Sequence, residues 1–284
     1  METEIQTFWQ NNPCGAELVG DLTAESRREY EEFFRRYDDF RYTKEPHILT
    51  NLDKIDFAGK RVLEIGLGQG ADAEQIVKRG GIYSGVDLTE ESAKRVKMRF
   101  SLHGLPYDEI GQASALNLPF DGDSFDIVFS HGVLHHIPDI VKAQAEIHRV
   151  LKRNGKLVVM LYAKWSLNYL LAISILRRAG LAGMYAFGVK AGGIYGDHLN
   201  NAWKMGLGKY LAMNNFINVS TDGPLNPYSK VYGQSEIEAD FPDFQIVETH
   251  KEFMYAPPLP VGWLPLAGLL GWHLWATLEP KRTL

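Results

Sequence analysis

"VLEIGLGQGADA", residues 62–73, is the stretch that decides the fold. An apolar strand, Val62 to Ile65, runs into three glycines at alternate positions, Gly66, Gly68 and Gly70, and a helix can start at Ala71. Glycines there leave the backbone bare, so a ligand can approach it closely. The neighbouring sequence repeats the strand–helix alternation. "RVLEIG" (61–66) reads as strand one, and "ADAEQIVKR" as a helix stopped by Gly80 and Gly81. "IYSGVDL" (82–88) is strand two. Thr89 then reads as an N-cap, with Glu90 and Glu91 in the positive first turn and Ala93, Val96 and Phe100 on one helix face. A short third strand is expected near 107–113, and "FDIVFS" (125–130) is the fourth. A helix from Asp139 to about Lys152 buries Ile140, Ile147 and Leu151 and ends at Gly155; "KLVVMLY" (156–162) is the fifth strand.

Strands alternating with helices imply a parallel sheet covered on both faces, with its ligand beyond the carboxyl ends of the strands. After Tyr162 the pattern breaks. Residues 163–230 are too long for a plain connection and too apolar for disorder, which predicts an inserted helical lid. "FQIVETHKEF" (244–253) and "GWHLWATL" (271–278) read as the last two strands, joined by a proline-rich segment. Upstream, Tyr30, Phe33, Phe34 and Tyr37 recur at helical spacing, predicting a helix from about residue 24. The fold class is therefore α/β: a doubly wound, mostly parallel, seven-stranded Rossmann-like sheet, with a helical lid inserted after strand five and a final antiparallel strand. The expected division is a helical arm or cap at 1–45, a ligand-binding core at 46–162, the lid and substrate region at 163–230, and the end of the sheet at 231–284.

Composition narrows the classes. The chain has 284 residues, 45% hydrophobic, and its 30 basic and 35 acidic residues give a formal charge of −5. That balance argues against nucleic acid as a partner. Cys14 is the only cysteine, so no intrachain disulfide or cysteine metal cluster can form, and it reads as inert packing. "METEIQTFWQNNPCG" has acids where a signal peptide needs a basic and then an apolar stretch, so the expected location is cytoplasmic. "SLNYLLAISIL" (166–176) is too short to span a bilayer. Residues 253–278 lack acids, lysine and arginine but contain Pro257, Pro258, Pro260 and Pro265. They read as core strand or pocket wall in preference to membrane contact.

Two ligands need the same bare turn. Gly66, Gly68 and Ala71 fit the G-x-G-x-x-G/A pattern of dinucleotide sites. Glu64, Gly66, Gly68 and Gly70 fit the E-x-G-x-G-x-G pattern that holds S-adenosylmethionine. Asp87, ending strand two, can accept hydrogen bonds from both ribose hydroxyls and suits either. The longer stretches separate them. "VLEIGLGQG", "GVDLT", "ALNLPFDGDSFDIVFSHGVLHHIPD" and "EIHRVLKRNGKLVVMLY" together resemble the class I S-adenosylmethionine-dependent methyltransferases of the small-molecule type. The layout is similar to that of the quinone-biosynthesis C-methyltransferases and their natural-product relatives, over about residues 55–162. The resemblance implies S-adenosyl-L-methionine as cofactor, with Glu64 holding its ammonium, Leu88 against the adenine, and Ser114, Ala115 and Leu116 along the ring's edge. The family commonly has Asp where Ser114 stands, a departure that puts that contact in doubt. The implied activity is methyl transfer to a small, largely apolar or aromatic metabolite, of the kind found in secondary metabolism, on oxygen, nitrogen or carbon. Alternatives are a nucleotide-dependent oxidoreductase, which Glu64 disfavours, and an accessory protein that binds cofactor without chemistry.

"SHGVLHHIPD" places His131, His135 and His136 just past strand four. Because "LHHIPD" recurs in relatives with different acceptors, His135 and His136 are expected to be structural. His131 is expected to touch the cofactor and, if the acceptor is a hydroxyl or amine, to act as the base, since an unperturbed imidazole titrates near pH 6.5. His131 and His135 also have the spacing of a zinc pair, but no third ligand is evident, so no metal is expected. Tyr37, Tyr42, Tyr162, Tyr195, His198 and Tyr228 are the residues expected to line the acceptor pocket.

Overall fold

The computed structural model describes residues 1–13, 15 and 26–281; Cys14 lies outside them. Among the described residues, α1 (Glu2–Asn11) and α2 (Arg27–Lys44) precede a short α3 (His47–Asp53). The sheet region then runs β1 (Arg61–Ile65), α4 (Ala71–Lys78), β2 (Ile82–Asp87), α5 (Glu90–His103), β3 (Glu109–Gln112), β4 (Phe125–His131), α6 (Ile140–Val150) and β5 (Leu151–Tyr162). Next come a π-helix (Asn168–Arg177), α7 (Arg178–Ala186), α8 (Gly193–Met205), α9 (Leu207–Tyr210) and α10 (Met213–Thr221). The chain returns through α11 (Gln234–Asp240), β6 (Phe244–Glu252), α12 (Ala267–Leu270) and β7 (His273–Pro280).

Strand order is β3-β2-β1-β4-β5-β7-β6. The first five strands are parallel, and β7 runs antiparallel to both β5 and β6. This is the doubly wound sheet with a reversed last strand that the sequence implies. Alternation along the strands builds two cores. Leu63, Val128, Leu157, Val159 and Leu161 face α6 and α11, which contribute Ile140, Ile147 and Ile237, with Phe241 just after α11. Val62, Ile127, Phe129, Val158 and Met160 face α3, α4 and α5, which supply Leu52, Ile76, Val96 and Phe100. Each such buried side chain contributes about 1.5–3 kcal/mol. The helices after β5 have a core of their own, built from Ile173, Leu181, Leu199, Tyr210, Phe216 and Trp272.

Three local details differ from the sequence reading. Helix α6 ends at Val150 and not at Lys152, because Leu151 already pairs with Phe125. Helix α1 precedes the helix expected from residue 24 and buries Ile5 and Phe8. Helix α2 starts at a capping box in which Ser26 and Glu29 satisfy each other's backbone donors. It is pinned to the sheet layer by Arg99, which is fully buried, donates to Glu74 at 2.6 Å and also pairs with Asp38 of α2.

Candidate active site

A cavity of about 270 Å³ opens at the carboxyl ends of β1, β2, β4 and β5 and is walled by α1 and α2. The glycine turn forms one side. Gly66 has φ +84°, and a Cβ there would sit 2.1 Å from a methyl of Val133, so it locks the β1 turn against the turn after β4. Gly68 has φ +51° and only open space beside it, so it is the glycine that leaves room for a ligand. Gly70 caps α4, packs towards Val96 and does not line the cavity. We expect Gly66→Ala to lower stability by about 1–3 kcal/mol through overpacking, on top of roughly 1–2 kcal/mol for a left-handed backbone. Gly68→Ala should cost only the roughly 1–2 kcal/mol of a left-handed backbone while also weakening ligand binding. Denaturant unfolding and ligand titration of the two variants separate these outcomes.

At the end of β2, Asp87 accepts from Leu67 N, Thr89 N and the Thr89 hydroxyl, each at 2.8 Å. Burial raises its pKa, and these bonds partly offset that shift. The Thr89 hydroxyl is a rotor, so one acceptor site can pass to a ligand hydroxyl. Leu88, Ser114, Ala115 and Leu116 also line the cavity. The Ser114 hydroxyl is bonded to Glu2 of α1, so a carboxylate stands beside position 114, brought from the other end of the cavity wall.

Glu64 lies buried at the opposite end of the turn and accepts from Tyr83 at 2.5 Å. Burial, with the nearby Asp72 carboxylate, holds its carboxyl well above the usual range. Glu2, Glu45, Glu64, Asp72, Asp87 and Asp222 line the cavity against the single guanidinium of Arg41, counting described residues. Such a wall suits a ligand with cationic groups.

Arg41 organises the floor. Its Nε and Nη2 donate to Asp72 at 3.3 and 2.6 Å, and Nη2 also donates to Nδ1 of His131 at 2.8 Å. His131 lines the cavity, but this contact corrects the expectation that it is the base. An imidazole that accepts at Nδ1 carries its proton on Nε2, so no free lone pair remains. Burial, reinforced by the Arg41 charge, holds its pKa well below the ordinary value. We expect Arg41→Ala to cost about 3–5 kcal/mol by leaving the buried Asp72 carboxylate unpaired. The double variant with Asp72→Asn should recover part of that, read by urea unfolding.

His136 is placed differently. Its Nδ1 donates to the Tyr228 carbonyl at 2.8 Å, which leaves the lone pair on Nε2. That Nε2 is buried without a hydrogen-bond partner and lies 3.4 Å from Oδ2 of Asp222, itself without one. The other Asp222 oxygen accepts from the Tyr162 hydroxyl at 2.9 Å. His136, Asp222 and Tyr162 line the cavity together with Trp9, whose ring meets His136 edge-on.

Of the residues expected in the acceptor pocket, Tyr37 and Tyr162 line the cavity. Tyr42, Tyr195, His198 and Tyr228 do not. The Tyr42 hydroxyl donates to Asp72 from behind the wall at 3.4 Å. Tyr195 is 62% exposed on α8, and His198 is bonded to Tyr210 inside the helical insertion. Tyr228 contributes its carbonyl, not its ring. Sequence reasoning missed Glu2, Trp9, Arg41, Asp72, Asp222 and His273, all of which line the cavity. Asp72 was within reach, because it lies in the glycine stretch itself.

Residues 63–159 match the family described as a methyltransferase domain. The chain is 36% identical over 104 residues to the phthiotriol/phenolphthiotriol dimycocerosates methyltransferase of Mycobacterium tuberculosis, covering 36% of this chain and 37% of that protein. It is 32% identical over 107 residues to phosphoethanolamine N-methyltransferase 2 of Caenorhabditis elegans, covering 37% of this chain and 24% of that one. The match thus spans well under half the length of either curated relative. A solved S-adenosylmethionine-dependent methyltransferase from Aquifex aeolicus is similar in fold, with a TM-score of 0.51 at 13% identity, over 91% of this chain and 100% of that one.

Proposed function

We propose that the chain, whose residues 63–159 match a methyltransferase-domain family, is a class I S-adenosylmethionine-dependent methyltransferase that methylates a small, largely apolar or aromatic metabolite. The observation that carries the proposal is a single cavity joining the Gly68–Asp87 turn to a chamber walled by Trp9, Tyr37, Met160 and Tyr162. The donor supplies an activated methyl on a sulfonium. Glu64 faces the ammonium end of that ligand, and Asp87 the ribose. Leu88, Ala115 and Leu116 flank the adenine, while Glu2, bonded to Ser114, supplies a carboxylate beside position 114. An acid-rich wall favours a donor bearing two positive groups over a neutral one.

The protein's main task is orientation, which is worth on the order of 7–11 kcal/mol in well-aligned reactions. The helices of 163–230 serve as a lid that excludes water from the acceptor. For a hydroxyl or ammonium acceptor, His136 takes the proton at Nε2 and Asp222 stabilises the imidazolium that forms; Tyr162 fixes Asp222. Names of relatives point to lipid and phosphoethanolamine acceptors, so the shared domain does not by itself set the acceptor. Isothermal titration with S-adenosylhomocysteine and with NAD tests the reading. We expect the first to bind and the second not to; the reverse result favours an oxidoreductase. Hydrogen exchange over 163–230 should slow when S-adenosylhomocysteine is added, and equal exchange would make that segment a fixed wall.

A further inference from the structure

The helical insertion differs from the rest of the molecule in charge and in exposed surface. Residues 163–221 carry Lys164, Arg177, Arg178, Lys190, Lys204 and Lys209 against the single acid Asp197, a net of 6 − 1 = +5. The whole chain is −5, so everything outside the insertion sums to −5 − 5 = −10. Lys190, Lys204 and Lys209 are exposed and form no ion pair among the described residues. The same segment carries the exposed apolar groups. Of 19 large apolar side chains exposed on the described residues, nine lie between Trp165 and Met205. Four of the nine lie in one stretch, from the end of α7 to the first turn of α8: all ten residues of 186–195, "AFGVKAGGIY", are exposed, with no acid among them. Phe187 is 87% exposed, followed by Val189, Ile194 and Tyr195.

We infer that the insertion docks on an anionic lipid surface, with residues 186–195 and their Lys190 entering the headgroup layer and Lys204 and Lys209, further along the same insertion, adding to the attraction for lipid phosphates. Interfacial anchors combine apolar and aromatic side chains with lysine in this way. The charge distribution also sets orientation, because the −10 body is repelled by the surface that attracts the +5 insertion. A second copy of the chain is a poorer occupant. A two-fold interface sets each patch against itself, so lysines would meet lysines. No helix among the described residues is long and apolar enough to cross a membrane, so the contact proposed is with the surface only.

Vesicle flotation tests this independently of any catalytic reading. The full chain is mixed at low salt with phosphatidylcholine vesicles, or with vesicles doped with phosphatidylglycerol. Binding is expected to the doped vesicles, to weaken as salt is added, and to be much lower on phosphatidylcholine alone. Each lysine near the surface is worth roughly fivefold, so Lys190→Gln/Lys204→Gln/Lys209→Gln should lose on the order of a hundredfold. Phe187→Ser/Ile194→Ser should also bind less. All five substitutions are at exposed sites, and unchanged melting curves confirm that the variants fold. No flotation, equal flotation on both vesicle types, or a lysine variant that binds like the parent would overturn the proposal. So would a dimer in solution that the Phe187→Ser/Ile194→Ser variant converts to monomer.

Discussion

His136→Gln lowers turnover of a hydroxyl or amine acceptor by roughly 10²–10⁴ and leaves S-adenosylhomocysteine affinity nearly unchanged, the size expected when a general base is lost. The expectation rests on orientation. The Tyr228 carbonyl at 2.8 Å takes the Nδ1 proton, so the only lone pair of the ring is at Nε2, in the cavity wall. The Asp222 carboxylate lies 3.4 Å from that nitrogen. Asp222→Asn should therefore move turnover in the same direction, without the loss of packing that an alanine brings. His131→Ala should act first on stability, because its Nδ1 is already held by Arg41. Single-turnover methyl transfer with each variant distinguishes the three histidine and aspartate roles. Full turnover in His136→Gln would remove the dyad from the reaction and point to an acceptor that needs no deprotonation.

The second large effect falls on binding. Asp87→Ala should weaken S-adenosylhomocysteine by roughly 10²–10⁴, since two bonds to a charged acceptor are worth about 1.5–3 kcal/mol each. It should also destabilise the unliganded chain. Leu67 N and Thr89 N both donate to this carboxylate, and an orphaned buried donor costs about 1–3 kcal/mol. Comparing the titration with thermal unfolding, and with Asp87→Asn as the conservative control, separates the lost ligand bonds from a loosened glycine turn. Unchanged affinity in a folded Asp87→Ala protein would take Asp87 out of the site.

The part of the site that is legible in the sequence is the part made locally. A strand, a turn and a helix start each carry their own pattern, so the residues flanking Gly66, Gly68 and Asp87 are enough to assign their places. The opposite wall has no such signature. Arg41 meets His131 across 90 positions and Glu2 meets Ser114 across 112, and nothing in the residues themselves encodes those partners. Asp222 comes from the end of α10, where the helical pattern shows a helix but not which strand end it will cover. Tyr195 and His198 failed for a related reason. Their spacing fits a helix, but only the packing of that helix decides that Tyr195 meets solvent and His198 meets Tyr210. His131 lines the cavity, and the contact that sets its tautomer comes from Arg41, ninety residues away, which its own neighbourhood in the sequence does not encode.

The position of β7 between β5 and β6 has a consequence for how the chain is made. β6 is synthesised first, yet its only strand neighbour in the sheet is β7. Twenty residues separate Glu252 from His273, about one to four seconds of translation at 5–20 residues per second. Through that interval the apolar edge of β5, from Leu157 to Leu161, has no partner on its outer side, and β6 has none at all. The same strand delivers His273, which bonds His47 at 3.0 Å and lies edge-on to His131 at the cavity. The nascent protein thus carries its glycine turn well before its binding chamber is closed. A pause or a stop before residue 273 leaves an open sheet edge, a substrate for chaperones and for aggregation, and no working site.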